Sequence, residues 1–392
     1  MLPQGFRAFD ADNHYYEALD AFTRHIEPEF RKRCMQWAQV DGKTRLLVGG
    51  KVNKFIPDPT FSRLAKPGVL EKWFRGTAEG SLIEQFGELE PTRPAYRERD
   101  ARLAAMDELG LDGAMFFPTL GVGMEQALRH DIPALCAAFR AFNRWLDEDW
   151  GFAYRDRIFA APYITLADPD NAVAELRWAL EHDARMIVMQ YGPITTARGW
   201  TSPGDPVFEP FWSLVNEAGI TVVYHGGNNA YAELLSWWGE SHDLEAFRAT
   251  PMRGLISPEP IADTIAALLS YGVLARHPRI RLAAIETGSD WVPVLFRRLK
   301  KSYAQQRHAW PQDPRETLRE RLWVAPFHEN DLTELRDTIG ADRIMLGSDW
   351  PHTEGIAEPL AFAKDLEASG FTDEEQVKVM RTNAESLVRR LP

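Results

Sequence analysis

Apolar positions along this chain follow two alternating rhythms: short near-continuous runs, and longer stretches with apolar residues three and four apart. Runs such as LDGAMFFP, ITVVYH and IRLAAIE have the composition of strands buried on both faces. Eight such strands are expected, at residues 7–11, 111–117, 158–164, 185–191, 220–224, 280–285, 322–327 and 343–346. Between them lie helical patterns. The clearest is DPDNAVAELRWALEH at residues 168–182, which opens on a capping Asp168 and carries an apolar stripe at helical spacing. Residues 206–218 and 329–339 repeat the pattern. Alternating strands and helices predict an α/β fold, a (β/α)8 TIM barrel spanning residues 1–392 as one domain.

Two intervals are longer than a crossover needs. Residues 15–100 separate the first two strands, and residues 226–276 separate the fifth and sixth. Loops beyond about 15 residues usually carry function or elements of their own. Both are expected to be partly helical insertions that form a lid over the barrel mouth. Their aromatics (Tyr15, Tyr16, Phe55, Trp73, Tyr231, Trp237 and Trp238) either contact a large apolar substrate or pack the lid onto the barrel. Tyr15, Tyr16, Trp237 and Trp238 are the substrate-contact candidates among them.

Composition adds limits. At 45% hydrophobic and 26% charged residues the chain can build a substantial core. A net charge of -12 argues against general nucleic-acid binding, which depends on basic patches. No apolar run is long enough to span a membrane. The opening MLPQGFRAFDADNHYYE has no basic segment followed by an apolar one, so a cytoplasmic location is expected. Cys34 and Cys136 are too few for a disulfide scaffold and are expected as buried apolar residues.

Polar residues collect at the C-terminal ends of the expected strands, the end that carries catalysis in such barrels. They are Asp10-Ala11-Asp12-Asn13-His14, Gln190, His225, Glu286, His328-Glu329, and Asp349 within GSDWPH. Taken singly, each has a structural explanation, and Asp10 and Asn13 read as cap or turn residues. Together they place several carboxylates around one axis, which is very costly without cations to neutralise them. A metal site follows. His352 and Glu286 are acid/base candidates, and His352 could instead hold Asp349 in place. Glu17 supports the first ligand pair or opens a helix. Of His328 and Glu329, only one should face the metal. The basic run Arg297-Arg298-Leu299-Lys300-Lys301 is either a solvated helix face or an anchor for phosphates. No Gly-rich phosphate loop accompanies it.

The segments DADNH, ARLAAMDELGLDGAMFFPTLG, PVFEPFWSLVNEAGITVVYHGG, HPRIRLAAIETGSDWVPVLFRRL and DRIMLGSDWPHTEG resemble the amidohydrolase-related family. That group of barrels includes aminocarboxymuconate-semialdehyde decarboxylase and γ-resorcylate decarboxylase. The resemblance implies metal ligands at Asp12, His14, His225 and Asp349. The chain departs from the family at Glu286, where the decarboxylases have histidine, and at the strand-four lysine, replaced by Gln190 or its neighbours. Glu329 supplies a further carboxylate. Two histidines with four carboxylates favour iron or manganese over zinc.

The DADNHYYE opening is also similar to a subgroup of TIM-barrel nonheme di-iron monooxygenases of platensimycin and platencin biosynthesis. That likeness implies two Fe(II), dioxygen, an electron donor and a coenzyme A thioester. The first expectation is therefore a monooxygenase that hydroxylates a bulky hydrophobic, CoA-linked acyl substrate. The alternative is a hydrolase or decarboxylase with one or two Zn or Mn ions, acting on an amide, a (thio)ester or a carboxylic acid. Either takes a small-molecule substrate, and a homo-oligomer is left open.

Overall fold

A computed structural model describes residues 2–227, 230–241, 250–252, 260–329 and 331–389. Seven parallel strands form most of a ring: β1 (Ala8–Tyr15), β2 (Leu111–Pro118), β3 (Ile158–Ala160), β4 (Met186–Met189), β5 (Thr221–His225), β6 (Arg281–Ile285) and β7 (Leu322–Val324). They pair as β1-β2-β3 and β4-β5-β6-β7. Single parallel bridges close the two seams. Tyr163 pairs with Val188, while Ile344 pairs with Val324 and Trp350 with Asn13. Residues 344–350 thus fill the eighth strand position without a continuous ladder.

Seven of the eight expected strands are present, with altered limits. The first runs four residues further, through Tyr15, because its apolar run continues past the polar residues of DADNH. The third and seventh are cut short where Pro162 and Pro326 remove backbone donors. Helix Pro169–Glu181 starts where expected, with Asp168 accepting from the Asn171 amide at 2.9 Å. Helix Thr333–Ile339 begins later than expected, so Glu329 lies in the loop before it. At the opposite end of the ring, Thr221 and Arg281 bond to backbone oxygens of Leu387 and Ser386, so the C-terminal segment plugs the barrel floor.

The first insertion, residues 15–100, is partly helical and also holds strands not expected from the sequence: Met35–Val40, Lys43–Val48 and Lys51–Val52 form an antiparallel sheet. Its two turns are Asp41-Gly42 and Gly49-Gly50, all four residues with positive φ, the geometry that joins two strands through a two-residue turn. The helices Glu71–Phe74 and Leu82–Gln85 are one turn each. Backbone bonds from Gly68 to His352 and from Leu70 to Thr353 tie this insertion to the loop after the eighth strand position. In the second insertion, helices Ala232–Ser236, Pro260–Ser270 and Val273–Arg276 are present, and residues 228–229, 242–249 and 253–259 of the expected lid lie outside the described residues. Cys34 and Cys136 are free and buried. Among the described residues, no helix is long and apolar enough to cross a membrane.

Candidate metal centre

Residues two apart on a strand share a face, and β1 uses this to project Asp12 and His14 together, with His225 arriving from the end of β5. Glu286 and Asp349 arrive differently. Both adopt a left-handed backbone, with φ of 53° and 55°, which is uncommon for residues other than glycine and costs strain. At Glu286 and Asp349 this turn accompanies a carboxylate that reaches the cluster. Gly226 makes room for it, since a Cβ there would stand 2.5 Å from the Glu286 carbonyl oxygen. His328 has the same conformation, φ 62°, but packs against Phe74 and Phe327 and bonds through Nε2 to the Glu354 carbonyl.

The five side chains converge closely. His14 Nε2 stands 3.2 Å from Asp12 Oδ1, 3.1 Å from His225 Nε2 and 3.3 Å from Asp349 Oδ1. His225 Nε2 is 3.2 Å from Asp12 Oδ1 and 3.4 Å from Glu286 Oε2. Donor atoms bound at about 2.1 Å around one ion stand about 3.0 Å apart at right angles and about 3.4 Å apart at tetrahedral angles. The observed separations fall in that range. One carboxylate oxygen of the cluster, Asp349 Oδ2, is buried without a hydrogen-bond partner. The donor set and its unmet atom fit a divalent cation.

Electrostatics agree. Burial, with Asp349 adding to it, pushes the Glu286 carboxyl well above its ordinary range. Burial likewise raises Asp349, helped by Glu354 and Asp12. Burial also disfavours ionisation of Asp12, but the neighbouring His225 and His14 outweigh it and hold that carboxyl below the usual range. For His14, burial and then the nearby His352 and His225 keep the imidazole neutral, the form that ligates metals.

Supporting residues lock this arrangement. His352 Nδ1 lies 2.6 Å from Asp349 Oδ1, and its Nε2 lies 2.8 Å from Thr119 Oγ1, so both ring nitrogens are engaged. Asp10 and Asn13 belong to β1 rather than to a cap or turn. Asp10 accepts from the Ser348 amide at 2.9 Å and from Asn13 Nδ2 at 2.8 Å. Arg102, fully buried, donates to Asn13 Oδ1 and to the His14 carbonyl, fixing the strand from behind. Glu17 opens no helix; its Oε1 accepts the backbone N–H groups of Leu120 and Gly121 at 2.8 and 2.9 Å.

Several expected residues lie elsewhere. Glu329 does not join the cluster, because its Oε1 accepts the Ser289 amide beside a separate cavity. Glu354 takes its place: Glu286, Asp349 and Glu354 each offer an oxygen within 4.8 Å of the others. Gln190 pairs with Gln126 at 3.0 Å. Tyr15 stacks on Trp150 and meets Trp145 edge-on inside the core, while Tyr16 packs among Phe61, Tyr96 and His352. Trp237 and Trp238 are 74% and 64% exposed. Arg297 and Arg298 occupy the outer face of helix Trp291–Gln305, where Arg297 pairs with Glu334 at 2.8 Å. That basic run is a solvated face. Sequence reasoning missed Glu354, Thr119 and Arg102; for Glu354 the only signal was its place in the GSDWPHTEG stretch.

Comparison with known proteins fits this geometry. A profile of the Amidohydrolase family matches residues 10–390. A crystal structure of an amidohydrolase from Mycobacterium avium subsp. paratuberculosis K-10 is 41% identical, with a TM-score of 0.92 over 98% of both chains. The γ-resorcylate decarboxylase of Rhodococcus jostii (strain RHA1) is 25% identical over 74% of this chain and 87% of its own. The structure of 2,6-dihydroxybenzoate decarboxylase with 2,6-dihydroxybenzoate shares the fold, at 20% identity and a TM-score of 0.59, over 83% of this chain and 98% of that one.

These relatives overturn the monooxygenase expectation, since the curated ones are decarboxylases. That expectation also counted Glu329 among the ligands, and Glu329 is bonded to Ser289 instead. With that reading go its dioxygen and electron donor, and the oxidoreductase class lacks support. The phosphate anchor expected for coenzyme A is the solvated run at Arg297 and Arg298.

Proposed function

Because the chain belongs to the amidohydrolase family, we propose that it is a divalent-metal-dependent decarboxylase of an aromatic carboxylic acid. The observation that carries this reading is the convergence of Asp12, His14, His225, Glu286 and Asp349 in a chain whose curated relatives are γ-resorcylate decarboxylases. Asp12, His14, His225 and Asp349 would hold the ion. Manganese is the first candidate, because it accepts mixed imidazole and carboxylate ligands and is bound in a dihydroxybenzoic acid decarboxylase structure of this fold. Zinc is the second.

When bound, the ion draws electron density from a substrate oxygen and holds the acid in place. The remaining work falls to side chains. Loss of CO2 breaks the bond between ring and carboxylate and leaves the electron pair on the ring carbon, which must then take up a proton. Glu286 suits that step. Its side chain is 20% exposed, whereas those of Asp12, His14, His225 and Asp349 are at most 2% exposed, so it is the member of the cluster open to a ligand. Burial and the neighbouring Asp349 raise its affinity for protons, which favours the form that can donate one. His352 and Thr119 orient Asp349 and complete the wall. The insertion at residues 15–100, bonded to the His352 loop, would close the mouth and exclude water.

A second reading, hydrolysis of an amide or ester, draws on the same carboxyl: Glu286 stands where the decarboxylases have histidine and could act as a general base. One assay separates the two. Manganese-loaded protein should release CO2 from ortho-hydroxylated benzoic acids and leave aryl esters and anilides intact. Ester or anilide cleavage without CO2 release would reverse the assignment.

A further inference from the structure

On the catalytic end of the barrel but apart from the metal cluster, the loops after β2, β3 and β4 enclose a cavity of about 670 Å3. Arg129, His130, Arg198 and Thr195 stand in its wall. A second cavity of about 290 Å3 adjoins it, shares His130 and Asp131, and adds Lys32, Arg33 and Lys51. Five lysines and arginines therefore face two carboxylates, Asp131 and Asp168, in a chain where acids outnumber bases 57 to 45. This local reversal of charge is what calls for a ligand.

The reversal survives accounting for ion pairs. Arg33 pairs with Asp131 at 2.6 Å, and Arg198 pairs with Asp205 at 3.1 Å. Among the described residues, Lys32, Lys51 and Arg129 have no carboxylate partner; Arg129 bonds only to the Gln126 carbonyl. His130 feels the excess: burial and then Arg129 and Lys51 lower its proton affinity, against the smaller pull of Glu233. The hydroxyl of Thr195 is buried without a partner. Helices Ile132–Asp149 and Pro169–Glu181 both start in this wall, adding the positive ends of two long helices. Asp168 spends one oxygen on the Asn171 amide, and the other has no protein donor among the described residues.

A cavity of this volume holds a small molecule rather than a polymer. Unpaired cations suit phosphate oxygens, while the acceptor carboxylate of Asp168 suits a hydroxyl group. We propose that this cleft binds a phosphate ester bearing free hydroxyl groups, with the phosphate held by Lys51 and Arg129 and a hydroxyl by Asp168. The site is separate from the metal cluster and holds whether or not the chain is a decarboxylase.

Calorimetry with ADP as the probe tests it, on metal-stripped and on manganese-loaded protein. One ADP per chain should bind in both forms, and raising salt from about 50 to about 200 mM should weaken binding several-fold. The double variant Lys51→Glu/Arg129→Glu should weaken binding at least about tenfold, while His225→Ala leaves it unchanged. Thermal midpoints of both variants confirm that they are folded. Absence of binding, binding that needs manganese, binding that survives the double reversal, or equal affinity for citrate would each overturn the proposal.

Discussion

Glu125 and Asp349 are both buried carboxylates at the mouth end of the barrel, and burial raises the proton affinity of each. Their surroundings differ. Glu125 Oε1 accepts from Thr165 at 2.7 Å and its Oε2 from Tyr163 at 2.9 Å, so every oxygen is engaged by a neutral hydroxyl. Asp349 shares Oδ1 with His352 and His14, leaves Oδ2 without a partner, and has Glu286 and Glu354 for neighbours. A buried acid whose bonds are complete is part of the scaffold. One with an unmet oxygen and like-charged neighbours stores a cost that only a cation relieves.

Removing a ligand from the second group breaks the contrast most severely. Asp349→Ala and His225→Ala should each abolish metal binding and cut turnover by at least about a thousandfold, with the circular dichroism spectrum retained, because barrel stability resides at the other end. Full turnover in either variant would mean that the cluster is scaffold like Glu125.

Glu286→Gln sharpens the contrast inside the cluster. With metal still bound, turnover should fall by about 10²–10⁴, the usual contribution of a positioned acid. Metal content measured beside kcat checks this. Loss of metal together with activity would make Glu286 a ligand rather than the proton donor.

At Glu125 the expected effect is on stability alone. Burial raises its carboxyl to about 7, above the roughly 4.3 of an unfolded chain. The folded state therefore keeps the proton longer, so this contribution is complete below about pH 4.3, declines as pH rises towards 7, and is flat beyond. The stability difference between parent and Glu125→Gln should change by up to about 4 kcal/mol across that interval, with metal content untouched. Denaturant titrations at several pH values read it directly, and a constant difference would show that Glu125 ionises normally.

The smallest effect belongs to Trp237→Ala with Trp238→Ala. Both rings are largely exposed, so stability should change by less than about 0.5 kcal/mol. A large loss of turnover in that variant would restore these rings as substrate contacts.

Much of this was legible because buried parallel strands write themselves as apolar runs, and their polar ends fall where chemistry collects. β5 and β6 matched their runs to within a residue. The eighth strand position was readable from its motif even though its pairing is reduced to single bridges. What stayed hidden depends on backbone turns. The left-handed conformations at Glu286, His328 and Asp349 decide which side chain faces the axis, and none of these residues advertises positive φ as glycine does. Hence Glu329 was weighed against His328, and Glu354 was passed over. The hairpins at Asp41-Gly42 and Gly49-Gly50 carried a usable turn signal, outweighed by the length of the insertion.

The central claim is that one buried cluster, unlike its saturated neighbour, is built for a divalent ion. Titrating metal-stripped protein with Mn²⁺ and following the free-ion paramagnetic resonance signal tests it most directly. The account predicts saturable uptake that disappears in His225→Ala and persists unchanged in Glu125→Gln. Equal uptake by the parent and His225→Ala, or no uptake by the parent, would contradict it.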